Sequence, residues 1–176
     1  MFFVFGTTDR QRERGFVVDR CARCRALRWL RVVDRYSVWH VYFVPIGRGE
    51  LEGSTARCTQ CDDTMTFEEQ RYAEVLPACD EQLEAALART TPELARRLER
   101  LERLERLDAE PPYRGVADTD RGLLARAVER LRGLELSGVD ASAWLTRVER
   151  WPRLSPGERE LLAAELGGYA QAMGVS

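Results

Sequence analysis

Two Cys-x-x-Cys pairs, Cys21/Cys24 and Cys58/Cys61, constrain this chain more than any other feature of its sequence. The backbone turn inside such a pair aims two thiolates the same way without long-range folding. Two turns of this kind at the ends of hairpins close a tetrahedral four-sulfur site. The stretch from Cys24 to Cys58 has room for two strands and a loop. Zinc is the default ion, because a closed four-thiolate site suits it without redox chemistry; iron in a rubredoxin-like setting is the second choice. With every position taken by Cys, no site stays open to activate water. The expected cofactor is therefore one structural zinc ion held by Cys21, Cys24, Cys58 and Cys61. Some seventy residues bury little surface, and thiolate coordination supplies folding energy directly. The alternative, a redox Cys-x-x-Cys, starts a helix after a strand of an α/β unit, and neither pair has that setting.

Compartment matters to this reading, since paired thiols of a secreted chain would read as disulfides. The chain opens on apolar residues and places its charges afterwards, from Asp9 to Arg14, the reverse of a secretory signal. The most apolar run, Val38 to Ile46, is too short for a helical span of about 20 residues and contains His40. A cytoplasmic protein without a transmembrane segment is expected. The 44% hydrophobic and 32% charged composition belongs to a chain that folds, and a net charge of -2 argues against a strongly electrostatic nucleic-acid binder.

The sequence changes character near residue 70. Before it lie strand signals at Phe2–Phe5, Phe16–Val18, Trp29–Val33, Val38–Val44 and Met65–Phe67, separated by Gly15, Asp34-Arg35 and Pro45-Ile46-Gly47. After it the chain is rich in Ala, Leu, Glu and Arg, which favour helix. A first helix is expected from about Pro77 to Arg89. A second starts at Pro92 and carries Leu94, Leu98, Leu101, Leu104 and Leu107 on one broad stripe. Pro111 and Pro112 break it. A third runs over Thr119–Leu131, and Asp140 caps a fourth that turns Trp144, Leu145 and Val148 inward. Ser155-Pro156-Gly157-Glu158 is a capping box opening a fifth, which buries Leu161, Leu162, Leu166 and Tyr169. The fold class expected is α+β, a small β zinc ribbon over residues 1–70 followed by a helical domain over 71–176 with a break at 110–117.

Residues 1–67 resemble a zinc-ribbon domain family whose members open with Met-Phe-Phe-x-Phe-Gly and carry two Cys-x-x-Cys knuckles flanking an aromatic strand that ends in Phe-x-Pro. The matching elements are Met1-Phe2-Phe3-Val4-Phe5-Gly6, Cys21/Cys24, Trp39 to Tyr42 running into Phe43-Val44-Pro45, and Cys58/Cys61. The resemblance implies zinc at the four cysteines and no particular biological role. Family knuckles commonly place Gly after the second Cys, where Arg25 and Asp62 stand here. Positive φ at those positions would strain Arg25 more than Asp62. The helical half resembles TerB-like helical domains at Leu154-Ser155-Pro156-Gly157-Glu158.

Residues 1–36 hold nine Arg against four acids. Interleaved with Phe16, Trp29 and Tyr36, they offer phosphate contacts and a stacking platform. The blander use is to offset a zinc–tetrathiolate centre, which is formally doubly negative. His40 reads as a surface or half-buried strand residue, and Cys79 as an inert, partly buried thiol. Trp39, Tyr42 and Phe43 read as a core strand rather than a membrane-inserting stretch like that between the knuckles of LITAF-type zinc ribbons, for which the run is too short. No phosphate loop, metalloprotease motif or nucleophile–base pair is present. The expected function is a non-enzymatic, zinc-binding protein-interaction or adaptor module, with a protein partner or self-association. The alternative is a nucleic-acid-binding ribbon using the Arg-rich first 36 residues. An exposed Leu94–Leu107 stripe would mark a partner surface; a covered one is only core.

Overall fold

The computed structural model describes residues 5–109 and 118–175. The apolar start at Met1–Val4 and the break expected at 110–117 lie outside them, as does the side chain of Leu107. A four-stranded antiparallel sheet precedes five α-helices: β1 (Phe5–Cys21), β2 (Ala26–Val41), β3 (Val44–Cys58), β4 (Thr64–Thr66), α1 (Leu83–Thr90), α2 (Pro92–Ala109), α3 (Asp118–Ser137), α4 (Ser142–Val148) and α5 (Pro156–Ala172). The strands meander in chain order. Packing divides the chain into two units, residues 1–19 with 27–92, and residues 20–26 with 93–176.

In the first unit three strands are much longer than their apolar runs. Each expected separator lies inside a strand. Gly15 remains extended within β1 because Leu76 crosses there: Phe16 N–H donates to the Leu76 carbonyl (2.7 Å) and Leu76 N–H returns the bond (2.8 Å). A Cβ on Gly15 would stand 2.3 Å from that carbonyl oxygen, so only glycine lets the segment approach. Asp34 stays in β2 because its buried carboxylate accepts from the cross-strand Ser54 Oγ at 2.6 Å. Pro45 pairs with His40 where β3 has no neighbour on its other side, since β4 reaches only Thr55–Arg57. The sheet core is Val17, Val18, Leu30, Val32, Ala56 and Phe67, joined by Leu76, Ala86 and Leu87.

The open edge of β1 is covered at Phe16–Asp19. Leu76 pairs with Phe16, Thr91 Oγ1 donates to the Val18 carbonyl (2.6 Å), and Val18 N–H donates to Thr90 Oγ1 (3.1 Å). Fully buried Asp19 accepts from Arg71 (2.9 Å) and Tyr72 (2.8 Å). After the Leu76 bridge the chain runs through bends and irregular backbone over residues 77–82, so α1 begins at Leu83, later than the Pro77 expected. Cys79, expected to be partly buried near that helix, is exposed ahead of it.

The second unit is built on Leu101, Leu104, Leu124, Leu131, Leu134, Leu145, Val148, Trp151, Leu162 and Leu166. Leu101 and Leu104 are core and Leu98 packs against them, so the α2 stripe is covered rather than a partner surface. Helix α5 opens as expected, Ser155 N–H donating to Glu158 at 2.7 Å. Leu161 is 60% exposed, against expectation, because the buried face of α5 runs Leu162, Ala163, Leu166, Ala170. Asp140 accepts from Ser142 N–H at the start of α4 (3.0 Å).

Glu135 is buried between Arg20 and Arg97, its carboxylate 3.6 Å from each guanidinium. Desolvation raises its pKa above the usual carboxylate range despite the pull of Arg97 and Arg20. An acid with a raised folded pKa costs stability above that pKa, so stability should climb as pH falls through the raised value and level off near the ordinary one. Asp140, held low by the Ser142 backbone amide, and Glu149, held low by the Arg100 hydrogen bond, act oppositely. Their contributions are lost in a more acidic window, from the ordinary carboxylate value down through their folded pKa values. Urea midpoints measured between about pH 8 and about pH 4 should show this rise. In Glu135→Gln the rise should be absent while the acid-side fall persists.

Candidate metal centre

Both knuckles are hairpin turns with the same local build. Cys21 closes β1 and Cys24 lies in the turn to β2; Cys58 closes β3 and Cys61 lies in the turn to β4. In each, the residue after the second Cys donates back to the carbonyl of the first, Arg25 to Cys21 at 2.8 Å and Asp62 to Cys58 at 3.0 Å. Both of those residues take positive φ, 50° and 59°. The second knuckle is pinned further: Thr59 N–H and Oγ1 both donate to the Trp29 carbonyl at 3.0 Å, Cys58 N–H donates to the Asp63 carbonyl at 2.8 Å, and Gln60 N–H donates to Cys58 Sγ at 3.4 Å. An amide pointing at sulfur stabilises thiolate character and is the kind of outer hydrogen bond a thiolate ligand uses.

The four Sγ atoms all lie within 4.8 Å of one another. A tetrahedral ion with metal–sulfur bonds of about 2.3 Å spaces its sulfurs about 3.8 Å apart, which this cluster accommodates. Cys21 and Cys58 are buried; Cys24 and Cys61 are half-exposed. Four sulfurs and no oxygen or imidazole make a soft, closed donor set. Cys79 belongs to no cluster of this kind among the described residues.

Arg25 has no Cβ-free route into its left-handed conformation, which costs about 1 kcal/mol for a residue of its type. Arg25→Gly should raise the unfolding midpoint by that order and leave metal content unchanged, read by thermal melts beside elemental analysis.

The basic N-terminal run is partly neutralised. Arg14 pairs with Glu69, Arg20 with Glu135, Arg31 with Glu13 (3.4 Å) and Arg35 with Glu52 (3.3 Å). Arg10 and Arg12 instead join Arg48 and Tyr36 along an open groove of about 790 Å³. His40 is half-buried, as expected, with its ring stacked on Phe43 (centroids 5.8 Å, 13°).

Trp39, Tyr42 and Phe43 do not form a core strand. Val41 pairs with Val44, so Tyr42 and Phe43 are the two loop residues of a hairpin with φ of 49° and 67°. All three are exposed, Phe43 at 79%. The aromatic content of Val38–Val44 hid this turn, because such turns usually carry Asn-Gly. Pro45, which demotes a strand, was the available signal. No described helix is long and apolar enough to cross a membrane. Neither known protein families, nor characterised proteins, nor solved structures match this chain.

Proposed function

We propose that the chain is a non-enzymatic zinc protein in which Cys21, Cys24, Cys58 and Cys61 hold one structural zinc ion, and that it serves as an interaction module. The observation that carries this reading is the convergence of four thiols from two matching turns. A closed sulfur set leaves no position for substrate, so the metal's chemistry is to fix the ends of β1 and β3 rather than to react. Apolar surface left exposed at one hairpin tip supports an interaction role. The nucleic-acid alternative has less support, because four of the nine early arginines pair with acids.

Native mass spectrometry with elemental analysis, with and without added single-stranded oligonucleotide, tests the proposal. One zinc per chain and no oligonucleotide adduct are expected. One iron with red thiolate-to-metal absorption would replace the ion. A salt-sensitive oligonucleotide adduct would promote the alternative.

A further inference from the structure

Six of the large apolar side chains that the described chain leaves exposed gather at one place, the end of the β2–β3 hairpin and the neighbouring start of β1. They are Phe5, Trp39, Tyr42, Phe43, Val44 and Ile46, each between 49% and 79% exposed. Trp39 and Ile46 are cross-strand partners and share one face, while His40 stacks on Phe43 on the other. Both faces of the tip therefore carry exposed apolar side chains. Its turn is also an expensive choice. Both loop residues stand at positive φ, where Asn-Gly would be unstrained and where a bulky residue pays about 1 kcal/mol or more. Phe43 stacks on His40, yet both loop side chains stay largely exposed, Tyr42 at 49% and Phe43 at 79%, so little of either is used in packing.

Behind the tip the charge is one-sided. Arg10, Arg12 and Arg48 line the groove beside Tyr36 with no acid in its wall, and none of the three forms an ion pair among the described residues. Glu13 and Glu52 are engaged by Arg31 and Arg35, leaving Asp9 and Glu50 as the remaining acids of these long strand ends. At about 3.4 Å per residue, Arg48 sits roughly 15 Å back from the turn. Apolar side chains of interfacial segments bury about 5–10 Å into the headgroup and acyl boundary, so the arginines come level with lipid phosphates.

We infer that this tip inserts into the surface of an anionic lipid bilayer, with Trp39, Tyr42, Phe43, Val44 and Ile46 entering the interface and Arg10, Arg12 and Arg48 contacting headgroup phosphate. The inference deepens the interaction-module reading and does not depend on which metal the cysteines hold. Two features favour lipid. A tip with exposed apolar side chains on both faces fits a deformable medium, where a protein partner would need a cleft enclosing it. Val44 and Ile46 have no π-face, so base stacking leaves them unused.

The test is co-sedimentation of the full chain with phosphatidylcholine vesicles with or without about one-third phosphatidylserine, beside the double variant Tyr42→Asn/Phe43→Gly and the triple variant Arg10→Ser/Arg12→Ser/Arg48→Ser. Wild type should partition onto the anionic vesicles, and tenfold less onto neutral ones. The double variant installs the favoured hairpin turn, so it should melt no lower than wild type and keep its metal, yet bind at least tenfold more weakly. The triple variant should lose most of the preference for anionic lipid, since each basic residue near such a surface adds about fivefold. Absence of wild-type binding to either vesicle overturns the inference, as does equal binding by the double variant. So does a dimer that the double variant dissolves, or an oligonucleotide complex that competes with vesicles. Loss of metal from wild type would count against the zinc reading alone.

Discussion

Removing the proposed zinc ion from the four-cysteine site is expected to unfold the sheet. Cys58→Ser, or a strong chelator added to the wild-type protein, should abolish the near-UV signal of Trp29 and Phe16, which meet edge to face over the sheet at 6.5 Å. The reasoning is energetic. Apparent binding free energies of structural zinc are about 10–16 kcal/mol, as large as the whole stability of an ordinary domain. The sheet's buried apolar set is small, and its long strand ends are exposed. Cys58 is fully buried, pairs with Leu30 in register, and holds the 2.8 Å bond to the Asp63 carbonyl that shapes its knuckle. Serine there offers a poor zinc ligand and leaves three thiolates clustered without a cation. The check is a melt followed at near-UV wavelengths with metal content measured alongside. A chain that stays folded through complete chelation would show that these thiols are not a metal centre.

The second large effect belongs to Trp151. Its ring is 2% exposed in the helical core, on a short 3-10 turn between α4 and α5, and its carbonyl accepts from Arg159 Nε at 3.1 Å. Truncating such a ring loses its transfer energy and leaves a cavity that packed helices close only in part. Trp151→Ala should cost about 3–5 kcal/mol, a large share of typical domain stability. Urea unfolding followed by far-UV circular dichroism reads the loss directly. Leu161→Ser on the outer face of α5 is the control, expected to shift stability by no more than about 0.5 kcal/mol. A small loss in Trp151→Ala would mean that the ring does not organise this core.

What could be read from the sequence was mostly what is decided within a few residues. Each knuckle is a local turn, so Cys-x-x-Cys and the strain at Arg25 and Asp62 were both visible. Pro92 and the Ser155–Glu158 box marked helix starts for the same reason. The extent of the strands was not visible. Gly15, Asp34 and Pro45 look like breaks until the partners that tolerate them, Leu76, Ser54 and an empty edge, are brought up from far along the chain. The hairpin turn was concealed by its residues, since two aromatics in left-handed conformation are what propensity argues against. Leu161 was misplaced because one step along a helix rotates a side chain by about 100°, enough to move it from core to water.

The uneven burial of the four thiols has a kinetic meaning. With Cys21 and Cys58 at the ends of paired strands and Cys24 and Cys61 on the outer side of their turns, the proposed ion has one accessible flank. If that ion is bound, Cys24 and Cys61 would be the ligands an incoming competitor reaches first, while buried Cys21 and Cys58 would hold it until the strand ends part. Alkylating reagents should accordingly mark Cys24 and Cys61 well before Cys21 and Cys58, and the slow final step should share its temperature dependence with the opening of the sheet.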